Sequence, residues 1–429
     1  MRISSSQYFT MNVQAMDDQQ STLATMYQQI ATGNKLQTAG DNPIGAAQAV
    51  QLTAQSATLA QYATNQASAT TSLGLEDSTM KGVVSTIQAI QTAVTSAGDG
   101  SLSDANRADI ATQIQTLRNQ LLGLANTTDS SGNSIFSGFQ GNATTFTNNT
   151  PPAVGVTYGG DNGQRVVQIT DSRSIPVGDT GTAVFQSVSP TESTPVATAT
   201  AGNTGTGILG PVSVTDPTNP GNADTYSITF STAVPAPPTG SPLQYQVLDM
   251  SQMNTATPPA PGLPVGGPTQ YVPGNAISFA GESVTISGTP ANNDTFTVAP
   301  ANATTPGATD IFATLDNLVA ALNQPTTTPA EAAASTNALS TAATKIENNY
   351  NNMLAVQTSV GGREQEVNAT QTSMQTTSTQ NANSLADLTS VDMASAISQY
   401  ELTSTALQGA QQAFASIEKM SLFQYISGS

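Results

Sequence analysis

Apolar positions change their spacing twice along the chain. Residues 1 to about 130 and about 308 to 429 repeat every three to four, which predicts helices. Residues of about 150 to 305 alternate every second position, which predicts strands. In the first stretch Phe9, Val13, Met16, Gln20, Leu23, Tyr27 and Ile30 step by four and three. That average of about 3.5 belongs to a coiled-coil seam, and it stops at Gly33. Asn42 then offers an N-cap and Pro43 a first helical residue, whose missing N–H is not needed there. From that start Leu59, Gln66, Leu73, Met80, Ile87 and Val94 recur every seven residues, with Tyr62, Ala69, Glu76, Val83 and Ile90 three later. One helix to Gly98, about 80 Å long at about 1.5 Å per residue, accounts for them. A third helix begins near Ser103 with Ile110, Ile114, Leu117, Leu121 and Leu124.

The C-terminal part mirrors this. Asp310 opens a short helix with Ile311, Leu315, Leu318 and Leu322. Thr328-Pro329-Ala330-Glu331 is a capping box, and Leu339, Ile346, Met353, Val360, Val367 and Met374 follow at sevens. Gly361-Gly362 predicts a kink or a close approach. Beyond Leu385 and Leu388 the phase shifts, and a last seam runs Met393, Ile397, Tyr400, Leu407 and Phe414.

In the middle, Val154/Val156/Tyr158, Val212/Val214, Tyr226/Ile228/Phe230, Leu243/Tyr245/Val247, Ile277/Phe279, Val284/Ile286 and Phe296/Val298 alternate between Pro, Gly and Asn clusters. The predicted class is α+β and multidomain: a long antiparallel helical coiled-coil or bundle rod built from both chain ends, carrying an inserted antiparallel β domain. Terminal assembly helices take 1–40 and 393–429, the bundle 41–145 and 308–392, and the β insertion 146–307. The low-complexity stretch 187–207 is a point where that insertion could divide in two.

Composition narrows the function. Ten basic residues against 28 acidic give −18, so no basic stripe is available to displace phosphate counterions or to meet an anionic membrane. Cysteine and histidine are absent, which removes thiolates, the commonest zinc ligand and the commonest general base. Charged residues are 9% of the chain, which suits packing against copies of itself better than mutual repulsion. No apolar run reaches the length of a membrane span, and Met1 to Gln7 has no signal-peptide apolar region, so export would use a route without a cleaved signal. Gly205-Thr206-Gly207-Ile208-Leu209-Gly210 matches a dinucleotide fingerprint, but Pro211 and a strand pattern follow where a helix is required. Ser78-Thr79-Met80-Lys81 and Ser416-Ile417-Glu418-Lys419 match S-x-x-K inside helices and lack its companion motifs. No catalytic, cofactor or metal residue is assigned, and the chain reads as a non-enzyme.

Several segments resemble one family. Ala31-Thr32-Gly33-Asn34-Lys35 with Asp41-Asn42-Pro43-Ile44-Gly45-Ala46-Ala47 is similar to the flagellin-type N-terminal signature. Ser134-Ile135-Phe136-Ser137-Gly138-Phe139 resembles the family's segment between helical and β parts, and Val360-Gly361-Gly362-Arg363 resembles one in the returning helix. Met1-Arg2-Ile3-Ser4 and Met420-Ser421-Leu422-Phe423-Gln424-Tyr425-Ile426 resemble the ends of the flagellin-like hook-associated protein 3 family. The starts and ends typical of filament flagellins are missing. The resemblance covers both helical ends, roughly half the chain.

That resemblance implies a structural subunit of the bacterial flagellum at the junction of hook and filament, exported unfolded by a type III apparatus. The implied partners are the proximal hook-associated junction protein, flagellin, further copies in a ring and an export chaperone. The assembly contacts would be Phe9, Val13, Met16, Leu23, Tyr27, Ile30, Met393, Ile397, Tyr400, Leu407, Phe414, Leu422 and Phe423. The alternatives are a filament flagellin, disfavoured by the Ser421-Leu422-Phe423-Gln424 ending, and a secreted adhesin using the β insertion, disfavoured by the absence of Trp.

Overall fold

The computed structural model describes residues 5–141, 144–189, 193–232, 242–253, 261–301 and 309–426, without the side chains at 5, 6, 8, 253, 261 and 417–426. The helices are α1 (Ser5–Thr32), α2 (Pro43–Ala97), α3 (Asp104–Ala125), α4 (Ile311–Leu322), α5 (Pro329–Thr389) and α6 (Met393–Ile426). Between α3 and α4 lie β1 (Phe146–Asn148), β2 (Val156–Tyr158), β3 (Val166–Thr170), β4 (Arg173–Pro176), β5 (Val196–Ala199), β6 (Ile208–Val214), β7 (Tyr226–Thr232), β8 (Leu243–Met253), β9 (Pro261–Pro264), β10 (Thr269–Gln270), β11 (Ala276–Phe279), β12 (Glu282–Ser287) and β13 (Thr295–Ala299). Chain contacts divide the protein into two compact units, Met1–Asn65 with Ala369–Ser429, and Gln66–Asn368.

The start signals act as their chemistry requires. Gly45 N–H donates to Asn42 Oδ1 at 3.0 Å, and Pro43 is the first residue of α2. Glu331 N–H donates to Thr328 Oγ1 at 3.2 Å while Thr328 N–H donates to Glu331 Oε2 at 2.8 Å, so both halves of the capping box close at α5. Asp310 caps α4 through Phe312 N–H at 2.7 Å. Helix α1 ends where Gly33 turns to φ +73°, a conformation free of strain only without Cβ.

In the second unit the seven-residue stripes become core. Gln66, Ala69, Leu73, Glu76, Met80, Val83, Ile87, Ile90 and Val94 of α2 are all buried, as are Ile346, Met353, Val360 and Val367 of α5. The predicted close approach at Gly361-Gly362 does not occur. Helix α5 continues unbroken through the pair, and a Cβ on either glycine would meet open space.

Six of the seven predicted strand segments lie within β6, β7, β8, β11, β12 and β13; of the seventh, Val156 and Tyr158 lie in β2 while Val154 falls before it. Strands β1, β3, β4, β5, β9 and β10 were not legible, being two to five residues long with too few alternations to show a period. The larger sheet has the order β10-β8-β7-β13-β5, with β9 on β8, and the smaller β11-β12-β6, all antiparallel. Their inner faces share one core: Leu209, Tyr226, Ile228, Phe230, Val247, Ile277, Phe279, Val284, Ile286, Phe296 and Val298. The earlier β segments lie elsewhere. Phe146 and Val156, with Val184 and Phe185 of a π-helical turn, join Ile87, Ile114, Phe312 and Ile346 in the helical core. Phe136 meets Phe185 edge-on at 5.4 Å, and Phe185 lies 5.5 Å from Phe146 and 5.9 Å from Phe312. Ile169, Ile175 and Val177, in and just after the β3–β4 hairpin, pack with Leu73, Val360 and Val367.

Candidate assembly interface

Within the first unit α1 and α6 pack together and run antiparallel: Phe9 and Phe414 have ring centroids 5.1 Å apart, while Asn34 pairs with Ser390 at the other end. Two turns of chain are pinned there. Lys35 N–H donates to Thr389 O at 2.7 Å and Val391 N–H to Gly33 O at 3.0 Å. Asp41 accepts from Thr38 N–H at 2.8 Å and Gln37 N–H at 3.0 Å. These bonds, those to Thr38 first, hold its carboxyl below the usual range. The Gly33-Asn34-Lys35…Asp41-Asn42 signature therefore builds the turn between α1 and α2 and stitches it to the break between α5 and α6.

Along the pair, Val13, Met16, Leu23 and Ile30 of α1, and Tyr400, Leu407 and Phe414 of α6, are half-buried. Phe9 keeps nearly half its surface exposed although its ring meets Phe414. Tyr27, Met393 and Ile397 are exposed, at 64%, 43% and 43%. Half-buried Met26 stands in the seam beside Tyr27, and buried Ala396 beside Ile397. One residue separates the two assignments because alternate steps of three and four fit a helical stripe only to within one position. The side chains of Leu422 and Phe423 lie outside the described residues, though α6 continues to Ile426. The predicted assembly contacts also omit Met11, Ile44, Val50 and Leu402, which are exposed at 63%, 74%, 72% and 69%. They fall off the seven-residue stripe, so no period marks them.

A polar fastening lies in the second unit. Arg363, in the segment resembling the returning-helix motif, pairs with Asp179 and donates to Pro176 O at 3.3 Å. Asp179 N–H in turn donates to buried Glu76 Oε1 at 2.8 Å. Burial, and then the charge of Asp179, push the Glu76 carboxyl up to about 7. Helices α2 and α5 thereby clasp the chain after β4. Gly138, in the other family-like segment, takes φ +69° with Asp161 against it, and buried Phe136 anchors that turn. Among the described residues no group of three acidic, His or Cys side chains could hold a metal ion, and no helix is long and apolar enough to cross a membrane.

Residues 3–141 match the bacterial flagellin N-terminal helical region. The chain is 36% identical over 190 residues to flagellar hook-associated protein 3 of Salmonella typhimurium, covering 44% of this chain and 58% of that protein. The Escherichia coli protein of the same name is 35% identical over 189 residues, with the same coverage. The chain thus spans less than two thirds of the length of these relatives. Flagellar hook associated protein-3 from Legionella pneumophila superposes with a TM-score of 0.66 at 28% identity, over 79% of this chain and 98% of that one. FlgL from Xanthomonas campestris gives 0.65 at 25% identity, over 77% and 98%. Residues 3–141 thus resemble the bacterial flagellin N-terminal helical region, and the chain is similar in sequence and fold to the flagellar hook-associated protein 3 proteins.

Proposed function

We propose that the chain is a structural, non-catalytic subunit of the bacterial flagellum, placed outside the cell at the junction of hook and filament. The observation that carries this is the state of the terminal helices. Among the described side chains of α1 and α6, Ala396 alone is buried, while Met11, Tyr27, Ile397 and Leu402 stand in solvent. A two-helix pair covers one side of each helix and leaves apolar surface that further helices would cover. Copies of this chain, the proximal junction protein and flagellin are the partners that would bury it. An export chaperone would cover the same helices before assembly, on a route without a cleaved signal.

The test is a strain lacking this chain, complemented with a Leu407→Glu/Phe414→Glu variant. Loss of motility with flagellin shed into the medium supports the reading, as does immunogold labelling of the wild-type chain at the boundary of hook and filament. Labelling along the whole filament, or on the cell body, would overturn it.

A further inference from the structure

A cavity of about 430 Å³ lies in the second unit between the β5–β6 connection and helices α4 and α5. That volume is in the range of about 300 to 1,000 Å³ typical of small-molecule sites. Its walls are mostly apolar and small, with Ala333, Ala338 and Ala342 of α5 facing Leu318 of α4, and Lys345 among the lining residues. The walls are fixed from behind. Asn337 Nδ2 donates to Gly207 O at 2.8 Å and its Oδ1 accepts from Leu209 N–H at 2.8 Å. Thr341 Oγ1 donates to Ala197 O at 2.7 Å, and Asp294 accepts from Thr204 and Gly205 N–H at 2.8 and 3.0 Å. The glycine run that imitates a nucleotide fingerprint also finds its purpose here. A Cβ on Gly205 would sit 2.2 Å from Ala291 N, and one on Gly207 2.8 Å from the Phe296 ring. The glycines let this turn press onto the sandwich, and both line the cavity.

Lys345 is half-buried, and burial pushes its ammonium below the usual lysine range. Lys81, Arg107, Arg118, Arg173 and Arg363 each pair with a carboxylate, and among the described residues Lys345 has no such partner. A cation drawn out of water without a counter-charge is costly, and a carboxylate entering beside it offsets that cost. We propose that this cavity is a binding site for a carboxylate carried on a compact apolar stem. One cation matches one negative charge, and Lys345 is the one charged residue among the lining, too little to compensate the several charges of a nucleotide. The stem belongs either to a free small organic acid or to an Asp or Glu side chain presented by a second copy of this chain.

Benzoate is the probe, titrated by calorimetry into the full chain. Binding should weaken by about tenfold or more in Lys345→Met, as loss of a charge-assisted hydrogen bond implies, and persist in Lys345→Arg. Ala338→Leu should block binding by filling the cavity with the lysine intact, and melting curves check that each variant folds. Benzylamine, a cation of similar shape, should not bind. No benzoate binding at millimolar concentration, equal binding by Lys345→Met, or equal binding of benzylamine would each overturn the proposal. Sedimentation then separates the sources: if benzoate lowers self-association the occupant is a neighbouring copy's carboxylate, and if self-association is unchanged it is a free acid.

Discussion

The same seven-residue repeat runs through both units and gives two different interiors. In the first unit Leu59 and Tyr62 of α2, and the stripes of α1 and α6, are half-buried. In the second, Leu73, Met80 and Ile87 of the same helix have no exposed surface. The sequence period is equal, so the number of elements around each stripe makes the difference. A pair of helices leaves one side of a seam to solvent, whereas α3, α4, α5 and the aromatic cluster close around the second half of α2. A heptad therefore specifies which residues face a partner and is silent on how much of them is covered.

Mutations at matched positions should break this comparison if it is wrong. The largest effect belongs to Phe185→Ala, which removes the ring shared by Phe136, Phe146 and Phe312 and should cost about 3 to 5 kcal/mol in urea unfolding of the second unit. A loss under about 1 kcal/mol would mean that the cluster is not a close-packed core.

Next comes a pH effect. Glu282 is buried in the sandwich with neither carboxylate oxygen hydrogen-bonded, and burial raises it from 4.5 to about 7. The folded state keeps its proton where the unfolded chain has lost it. This contribution to stability is therefore complete below about pH 4.5 and lost as pH rises through about 7, by about 2 to 3 kcal/mol. Glu76, raised likewise, adds a second such slope. Urea unfolding between pH 5 and 8 should show roughly half the slope in Glu282→Gln; an unchanged slope would place the titration elsewhere.

Leu407→Glu/Phe414→Glu should change the melting of the second unit by less than about 0.5 kcal/mol, as for distant independent sites, while abolishing assembly. A drop of many degrees would make the α1–α6 seam part of the folded core. The smallest effect is expected on excision. Residues 193–301, which hold β5 to β13, should melt cooperatively when expressed alone, because their core contains no helical residue. A fragment beginning at 146 should gain nothing, since Phe146 and Phe185 would lose their helical partners.

Much of the fold was legible because its signals are local. Asn42, Asp310 and Thr328 with Glu331 mark helix starts through bonds made within a few residues of themselves. Long stripes such as Leu73 to Val94 survive as periodicity since each position repeats the same demand. The candidate interface was legible in seven of its residues as a half-buried seam and missed where Met26 and Ala396, not Tyr27 and Ile397, turn inward. That shift depends on how α1 and α6 are rotated against each other, which no spacing fixes to better than one residue.

What the sequence by itself determined is the order of helical and β regions, the helix boundaries, the seams to within one residue and the exclusion of thiol and imidazole chemistry. Only the tertiary structure decided that residues 146–186 pack against the helices, that α5 continues unbroken through Gly361-Gly362, and that Arg363, Asp179 and Glu76 meet. It alone placed Lys345 beside the Gly205–Gly207 turn, 138 residues earlier at its nearer glycine. The physical reason is range. Caps, turns and periods are set by neighbours along the chain, while the buried cores and the Arg118–Asp316, Arg173–Glu366 and Arg363–Asp179 pairs depend on residues brought together from more than a hundred positions away, at a loop-closure entropy that grows only slowly with separation and so leaves little mark on the local sequence.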